Sequence, residues 1–537
     1  VTTLGDSFHV YDTTLRDGAQ REGITYSVTD KLQVARLLDG LGVGFIEGGW
    51  PGAMPKDTEF FARAASGELE LANAQLVAFG ATRKAGVKVQ DDPQVRALLD
   101  SGAPVVTLVA KSDLRHVERA LRTDAAENLA MVHDTVKHLV DNGRRVFLDA
   151  EHFFDGFAHD PDTALRVLEA GVTGGADVVV LCDTNGGQLP LGLAEVVADV
   201  LARTGFRVGI HCQDDTSCAV ANTLAAVQAG ATHVQCTANG YGERAGNADL
   251  FAVVGNLVTK LGMPVLPEGA VGELTRVSHA LAEIANIAPD THQAYVGSSA
   301  FAHKAGLHAS AIKVDPLLYN HIDPEVVGNG MKILVTEMAG RASLELKGRE
   351  LGVDLAANPE ALTSAVRKVK ELEAGGWSFE AADASLELLL RDELSELDAP
   401  PFTLESYRVV LDHRSDGEIV SEATVKVHVG GERVIATAEG NGPVHALDGA
   451  LRKALLPHLS WLDAVKLNDY KVRILSGDGR DADGAGGTEA VTRVLVNSTD
   501  GEREWTTVGV HGNIVEASWL ALCDALAHKA AHASALV

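Results

Sequence analysis

The chain has 537 residues, 46% hydrophobic and 22% charged, which excludes an intrinsically disordered chain; no three- or seven-residue repeat supports a collagen-like or coiled-coil class. Lys+Arg number 46 against 74 Asp+Glu, a net charge of −28, so phosphate backbones are repelled and nucleic-acid binding is not expected. Any anion site must be a local pocket of a few Arg and Lys residues.

At roughly 150 residues per domain, this length suggests several units or one large barrel with appendages. The opening VTTLGDSFHVYD lacks a basic segment followed by an apolar run, so no signal peptide is expected there. No apolar stretch reaches the ~18 residues needed to cross a bilayer. The cysteines Cys182, Cys212, Cys218, Cys236 and Cys523 are odd in number and form no CxxC pair. Neither a disulfide framework nor a zinc ribbon is indicated, and a cytoplasmic location without membrane contact is expected.

Short apolar segments alternate with helix-like ones through the first half. The predicted strands are Phe8–Asp12, Gly44–Glu47, Leu76–Gly80, Val105–Ala110, Arg145–Glu151, Asp177–Asp183, Phe206–His211 and Thr232–Thr237. Several are apolar nearly throughout, as strands covered on both faces should be. Amphipathic stretches such as Thr29–Leu41 and Leu191–Ala202 lie between them, with Asp30 offering N-cap chemistry to the first. Eight β/α units predict a TIM barrel; a doubly wound sheet fits less well, because no early Gly-rich dinucleotide turn is present.

Polar residues recur where these strands end: Asp12, Arg16 and Asp17 after the first, then Glu47, Lys111, Glu151, Asp183, Thr184, His211 and Thr237. One such residue alone is most simply a helix cap; the series points to an active site at the C-terminal rim. In the loop DTTLRDGAQ, Arg16 and Asp17 form either an internal ion pair or a division of labour. In the second case Asp17 takes a hard divalent cation and Arg16 faces a carbonyl that becomes an oxyanion. His211 and Gln213, two apart, share one face of an extended segment. The loop NGYGERAGN adds Asn247. Asp17, His211, Gln213 and Asn247 make a mostly oxygen-donating set that favours Mg2+ or Mn2+ over Zn2+.

The strings YDTTLRDGAQREG, EGGWPG, DTNGG and NGYGERAGN resemble the acetyl-CoA-dependent condensing enzymes, the family of isopropylmalate, homocitrate and citramalate synthases. The resemblance covers nearly the whole chain. The segments 46–52, 149–156 and 382–385 are most similar to the citramalate synthase branch. What it implies is a Claisen-type condensation of acetyl-CoA, as co-substrate, with a 2-oxo acid, pyruvate in that branch, at a divalent metal. It also implies that Asp17, His211 and Asn247 are metal ligands, with Gln213 in the fourth position. Gln20, Glu47, Glu151 and Thr184 would contact the 2-oxo acid. Arg16 would stabilise the developing alkoxide and Glu243 would assist. The chain departs from the family at Gln213, where the family pattern is His-x-His. A Gln-tolerant hard-metal site, a water in place of one ligand, or a compromised enzyme would each account for it.

Downstream, VGSSAFAHKAGLHAS reads as a loop and helix carrying His303 and His308. By resemblance, His308 and Tyr319 are a catalytic pair that completes the partner subunit's site in a homodimer. Residues 351–397 read as largely helical, with AADASLELLLRDEL the clearest amphipathic segment, and Asp398–Pro401 as a linker. Strands at 406–412, 423–429 and 434–439 with a helix at 443–456 are followed by strands at 471–475, 491–496 and 504–510 with a helix at 513–526. This is an internal βββα duplication. Ser476–Gly487 reads as a loop without a phosphate-binding signature.

The fold class expected is therefore α/β: a TIM barrel over 1–275, a mostly helical subdomain over 276–398, and a C-terminal α+β domain with duplicated βββα units over 402–537. The last resembles the regulatory, dimerising domain of the family and implies an amino-acid effector, isoleucine for the citramalate branch. A larger 2-oxo acid, as in isopropylmalate or homocitrate synthase, and a non-catalytic amino-acid sensor are the alternatives. A cleaving lyase is disfavoured, because Glu243 and Arg244 stand in the loop where a Cys would be expected.

Overall fold

The computed structural model describes residues 5–335, 340–397, 399–413, 415, 417–475 and 490–533. The chain divides into two compact units, Val1–Phe301 with Ile322–Gly330, and Ala302–His321 with Met331–Val537.

The first unit is built on a closed barrel of eight parallel strands in sequential order: β1 His9–Asp12, β2 Phe45–Gly49, β3 Gln75–Ala81, β4 Val105–Lys111, β5 Arg145–Glu151, β6 Val178–Asp183, β7 Val208–Cys212 and β8 His233–Cys236. Tyr11 pairs with Gln235 and Asp12 with Cys236 where β1 closes on β8. The expected strands all form, with ends displaced by no more than two residues; β5 has the expected bounds. Alternate residues face inward. His9, Phe45, Phe147 and His233 pack ring against ring in the lower barrel, with centroids 4.7 to 5.6 Å apart for the contacts among His9–Phe45, His9–Phe147, His9–His233, Phe45–Phe147 and Phe147–His233. The barrel is therefore filled at this level.

The first helix, Val28–Leu41, begins one residue before the expected start, and its cap differs from expectation. Ser27 is the N-cap: its Oγ accepts from Asp30 N at 3.1 Å, and Asp30 Oδ2 accepts from Ser27 N at 2.8 Å. Asp30 thus closes a capping box from the third helical position, because Ser27 is the residue with extended backbone.

In the second unit, the helices Pro359–Ala374 and Asp383–Glu393 occupy much of the stretch expected to be helical. The segment expected to be the clearest amphipathic one, 381–394, forms the helix Asp383–Glu393 with exposed charges at its ends and Ala384 through Leu390 all buried, Ser385 and Glu387 included. Contacts from distant segments cover its polar face; Ser385 Oγ donates to Asp524 Oδ2 at 2.7 Å and accepts from Val508 N at 3.0 Å.

The duplication is present as two three-stranded antiparallel sheets. One holds Thr403–His413, Ile419–Val429 and Glu432–Gly440, followed by the helix Pro443–Leu455; the other holds Lys466–Leu475, Val491–Thr499 and Glu504–His511, followed by the helix Ile514–Ala533. Both first strands slip register near their start, between Leu404 and Ser406 and between Leu467 and Asp469. The repeats differ in their helices, 13 residues against 20. The expected 476–487 loop and Asp398 of the linker lie outside the described residues. No helix among the described residues is long and apolar enough to cross a membrane.

Candidate active site

Eight of the site residues expected from the sequence, Arg16, Asp17, Gln20, Glu151, Thr184, His211, Gln213 and Glu243, line one cavity of about 800 Å3 in the barrel unit. The loop after β1 is tied down from within and from the segment that follows β8. Asp12 accepts from Thr14 N at 2.9 Å and from Thr14 Oγ1 at 2.7 Å, and Thr14 Oγ1 accepts from Ala238 N at 2.8 Å. This fixes where the next turn delivers Arg16 and Asp17.

Asp17 Oδ2 lies 3.3 Å from His211 Nε2, and Gln213 Nε2 lies 3.4 Å from each of those atoms. Residues 213 and 247 form an antiparallel bridge, which brings the Asn247 backbone alongside Gln213. Gln213 Oε1 and Asn247 Oδ1 are both buried without a hydrogen-bond partner. Gln213 Nε2 is the amide atom turned to Asp17 and His211; turning that amide over presents its oxygen instead, and with Asn247 from the bridged segment the donor set then fits a hard divalent cation. Gly242, at φ 151°, admits the Asn247 side chain: a Cβ there would stand 2.1 Å from its Nδ2. Burial pushes the Asp17 carboxyl up, but Arg16 and the His211 bond outweigh it and hold it at about 2. Burial pulls His211 down, and its bond to Asp17 more than restores it.

His211 is oriented from beneath. Its Nδ1 donates to Gln235 Oε1 at 2.9 Å, and Gln235 Nε2 donates to Asp149 Oδ1 at 2.8 Å. A hydrogen fixed on Nδ1 makes Nε2 the atom that faces Asp17, carrying a second proton in the bond to that carboxylate and free to bind a cation once that proton leaves. Burial first, then repulsion from Glu47, raise Asp149 to about 7, against the opposing pull of His211 and Arg16.

The choice left open for Arg16 is resolved by Glu47. Arg16 Nε donates to Glu47 Oε1 at 2.5 Å, whereas its nearest approach to Asp17 Oδ2 is 3.8 Å. Its guanidinium carbon sits 3.9 Å above the Phe79 ring. Glu47 is wholly buried, with its second oxygen on the Tyr11 hydroxyl, so both oxygens face protein groups. The end of β2, irregular in its pairing with β3 between Glu47 and Gly49, depends on Gly49 at φ 136°: a Cβ there would lie 2.3 Å from the Asp57 carboxylate. Asp57 accepts from Trp50 N at 2.8 Å, which places Trp50 on the cavity wall.

Glu151 pairs with Lys111 across β4 and β5. Thr184 Oγ1 accepts from His152 N at 2.9 Å, leaving its own hydrogen to donate. Arg244, beside Glu243, donates to Asp215 at 2.8 and 2.9 Å and to Thr184 O at 2.8 Å. His308 and Tyr319 belong to the second unit, where their rings stack with centroids 4.0 Å apart.

The sequence reading missed Tyr11, Asp149 and Gln235. Tyr11 and Gln235 stand one residue before a strand's end and Asp149 two, each following an apolar residue. The signal was available: Asp149 has the parity of Glu151, and Gln235 that of His233, so a polar residue at an inward position marks a layer beneath the rim.

Three family descriptions match the chain in succession: HMGL-like over residues 7–281, homocitrate synthase post-HMGL domain-like over 295–376, and LeuA allosteric (dimerisation) domain over 380–530. The (R)-citramalate synthase of Streptomyces coelicolor is 63% identical over 525 residues, covering 97% of this chain and 96% of that protein. That of Aquifex aeolicus is 47% identical over 528 residues, 98% of each. A 2-isopropylmalate synthase of Methanocaldococcus jannaschii is 29% identical, covering 97% of this chain and 95% of the other. With its rim residues gathered in one cavity and full-length identity of this order, the chain belongs to the (R)-citramalate synthase family of HMGL-like condensing enzymes.

Proposed function

We propose that this chain condenses acetyl-CoA with pyruvate and water to give (R)-citramalate and CoA, with the residue roles below. The observation that carries the reading is the joining of Asp17, His211 and Gln213 with Arg16 and Glu243 around one cavity. A divalent cation held by Asp17, His211 and the amide oxygens of Gln213 and Asn247 supplies Lewis-acid polarisation of the keto group when bound. Arg16, charged at all working pH values and fixed by Glu47 and Phe79, stabilises the keto oxygen as it becomes an alkoxide. Thr184 donates its hydroxyl to the 2-oxo acid, with Glu151 and Gln20 beside it. Glu47 acts through Arg16, since both of its oxygens are already engaged. A base removes a methyl proton from acetyl-CoA, the resulting carbanion adds to the keto carbon, the alkoxide takes a proton, and water cleaves the thioester. Glu243 and the His308–Tyr319 pair carry these protons.

The exposed apolar side chains Leu307, Leu317 and Leu318 around His308 and Tyr319 support a role against a partner subunit in a homodimer. The match of residues 380–530 to an allosteric dimerisation domain supports an amino-acid effector, and isoleucine is the one proposed. The test is thiol release from acetyl-CoA with pyruvate, 2-oxobutyrate, 2-oxoisovalerate and 2-oxoglutarate, each with Mg2+, Mn2+ or EDTA. Metal-dependent release with pyruvate preferred is expected, and its loss in Asp17→Ala. A preference for a branched or dicarboxylic 2-oxo acid would overturn the substrate assignment.

A further inference from the structure

The two βββα repeats differ where the second helix outruns the first. Aligning Pro443 with Ile514 sets Leu455 opposite Leu526, both buried in the same apolar cluster. The turns that follow, up to Ala533, have no counterpart in the first repeat. They carry His528 and His532, four apart and so on one helical face, with ring centroids 4.4 Å apart. Facing them is Glu387 of the 383–393 helix, buried at 4% exposure.

His532 Nδ1 donates to the His528 carbonyl at 3.0 Å, which puts the lone pair of the neutral ring on Nε2. That nitrogen stands 3.4 Å from Glu387 Oε1, and His528 Nε2 stands 3.0 Å from Glu387 Oε2. Two lone-pair atoms facing each other at this distance call for a positive species between them, a second proton or a metal ion. One candidate ligand atom from each of the three side chains lies within 4.8 Å of the others. Ligands about 2.0–2.1 Å from a tetrahedral ion stand about 3.3 Å from one another, and the two His–Glu387 distances, 3.0 and 3.4 Å, bracket that value. The Nδ1 bond to a backbone carbonyl is the support that metal-bound histidines use. Arg391 donates to Glu387 Oε1 at 2.7 Å and shares the carboxylate. The buried Glu387 and the added helical turns thus come together in one cluster within the second unit.

We propose that Glu387, His528 and His532 form a second metal site, for a transition-metal ion of the zinc class, joining the helix before the duplicated region to the last helix of the chain. Two imidazoles and one carboxylate select such an ion over Mg2+ or Ca2+, so its chemistry differs from that of the oxygen-rich set in the barrel. Three protein ligands leave a fourth position for water.

The experiment uses the full-length Asp17→Ala chain, stripped with EDTA and dialysed against Zn2+ in excess Mg2+, with the metal counted per chain. About one Zn2+ per chain is expected, with affinity at least about tenfold weaker once His532→Ala is added. Zn2+ should raise the melting temperature of the first chain and not of the second, while their melting in EDTA stays alike. Co2+ in place of Zn2+ gives a readout that needs no second substitution: four-coordinate ligand-field absorption is expected. Absence of Zn2+ uptake, uptake that His532→Ala leaves unchanged, or a six-coordinate Co2+ spectrum overturns the site and leaves a proton holding the cluster.

Discussion

The bonds beneath His211 make Gln235→Leu a sharp perturbation. Leu approximates the volume of Gln but can neither accept from His211 Nδ1 nor donate to Asp149 Oδ1, bonds of 2.9 and 2.8 Å in the parent. Gln235 is 1% exposed, so water does not replace it. Each buried group left unpaired costs about 1–3 kcal/mol, so the metal-free fold should lose about 2–6 kcal/mol. Loss of a support of this kind weakens metal binding by about 10–100-fold, or about 1.4–2.8 kcal/mol. Denaturant unfolding in EDTA reads the first quantity, and titration with Mn2+ followed by electron paramagnetic resonance of the free ion reads the second. Thr107→Val is the control: it removes a 2.7 Å partner of the Tyr11 hydroxyl in the barrel interior without touching the His211 chain. It should lower stability and leave Mn2+ affinity alone. Equal loss of Mn2+ affinity in both variants, or none in Gln235→Leu, would refute the orienting role.

Arg16→Lys keeps the charge but gives up the planar contact with Phe79 and the guanidinium bond to Glu47. Steady-state kinetics should show kcat lower by about 10^2–10^3 with a smaller change in the KM for pyruvate, and a raised KM at unchanged kcat would contradict the alkoxide role. Asp149 is raised from 3.8 to about 7, so the folded chain holds a proton that the unfolded chain releases between those values, and its stability contribution is lost as pH climbs through about 7. Asp149→Asn has no such loss, and its melting temperature in EDTA should gain on the parent from about pH 5 to about pH 8; a difference flat across that range would count against the raised value. Gly442 precedes the helix Pro443–Leu455 at φ −166°, and a Cβ there meets nothing within 4 Å. We place the proposed effector's carboxylate on the backbone amides at this helix start; on that placement Gly442→Asp sets a like charge there, so inhibition by isoleucine, the proposed effector, should weaken while uninhibited turnover persists, and unchanged inhibition would place the effector elsewhere.

The barrel was legible because its strands are buried on both faces and read as apolar runs, and because chemistry gathers where those runs end. That rule led to Arg16, Asp17, Glu151, Thr184, His211 and Gln213 around the cavity. It passed over Tyr11, Asp149 and Gln235, single polar residues inside runs whose apolar neighbours masked them. Glu47 was legible as a rim residue but not as a partner of Arg16, because their bond joins positions 31 apart in sequence. The same limit explains the 383–393 helix. Its leucines read as one apolar face, while the segments that cover Ser385 and Glu387 come from residues more than 120 positions away. Local chemistry likewise left Ser27 and Asp30 competing for one cap, a choice made by the backbone at Ser27.

The rings of His9, Phe45, Phe147 and His233 also bear on the order of events. They stopper the cylinder, so no ligand passes along its axis and traffic is confined to the rim. With the proposed roles, the small keto acid settles at the level of Asp17 and His211, and the long thioester then follows it through the same mouth. Departure reverses arrival: the thiol carrier must leave before the newly made hydroxy diacid can, and product inhibition should carry the signature of an ordered sequence.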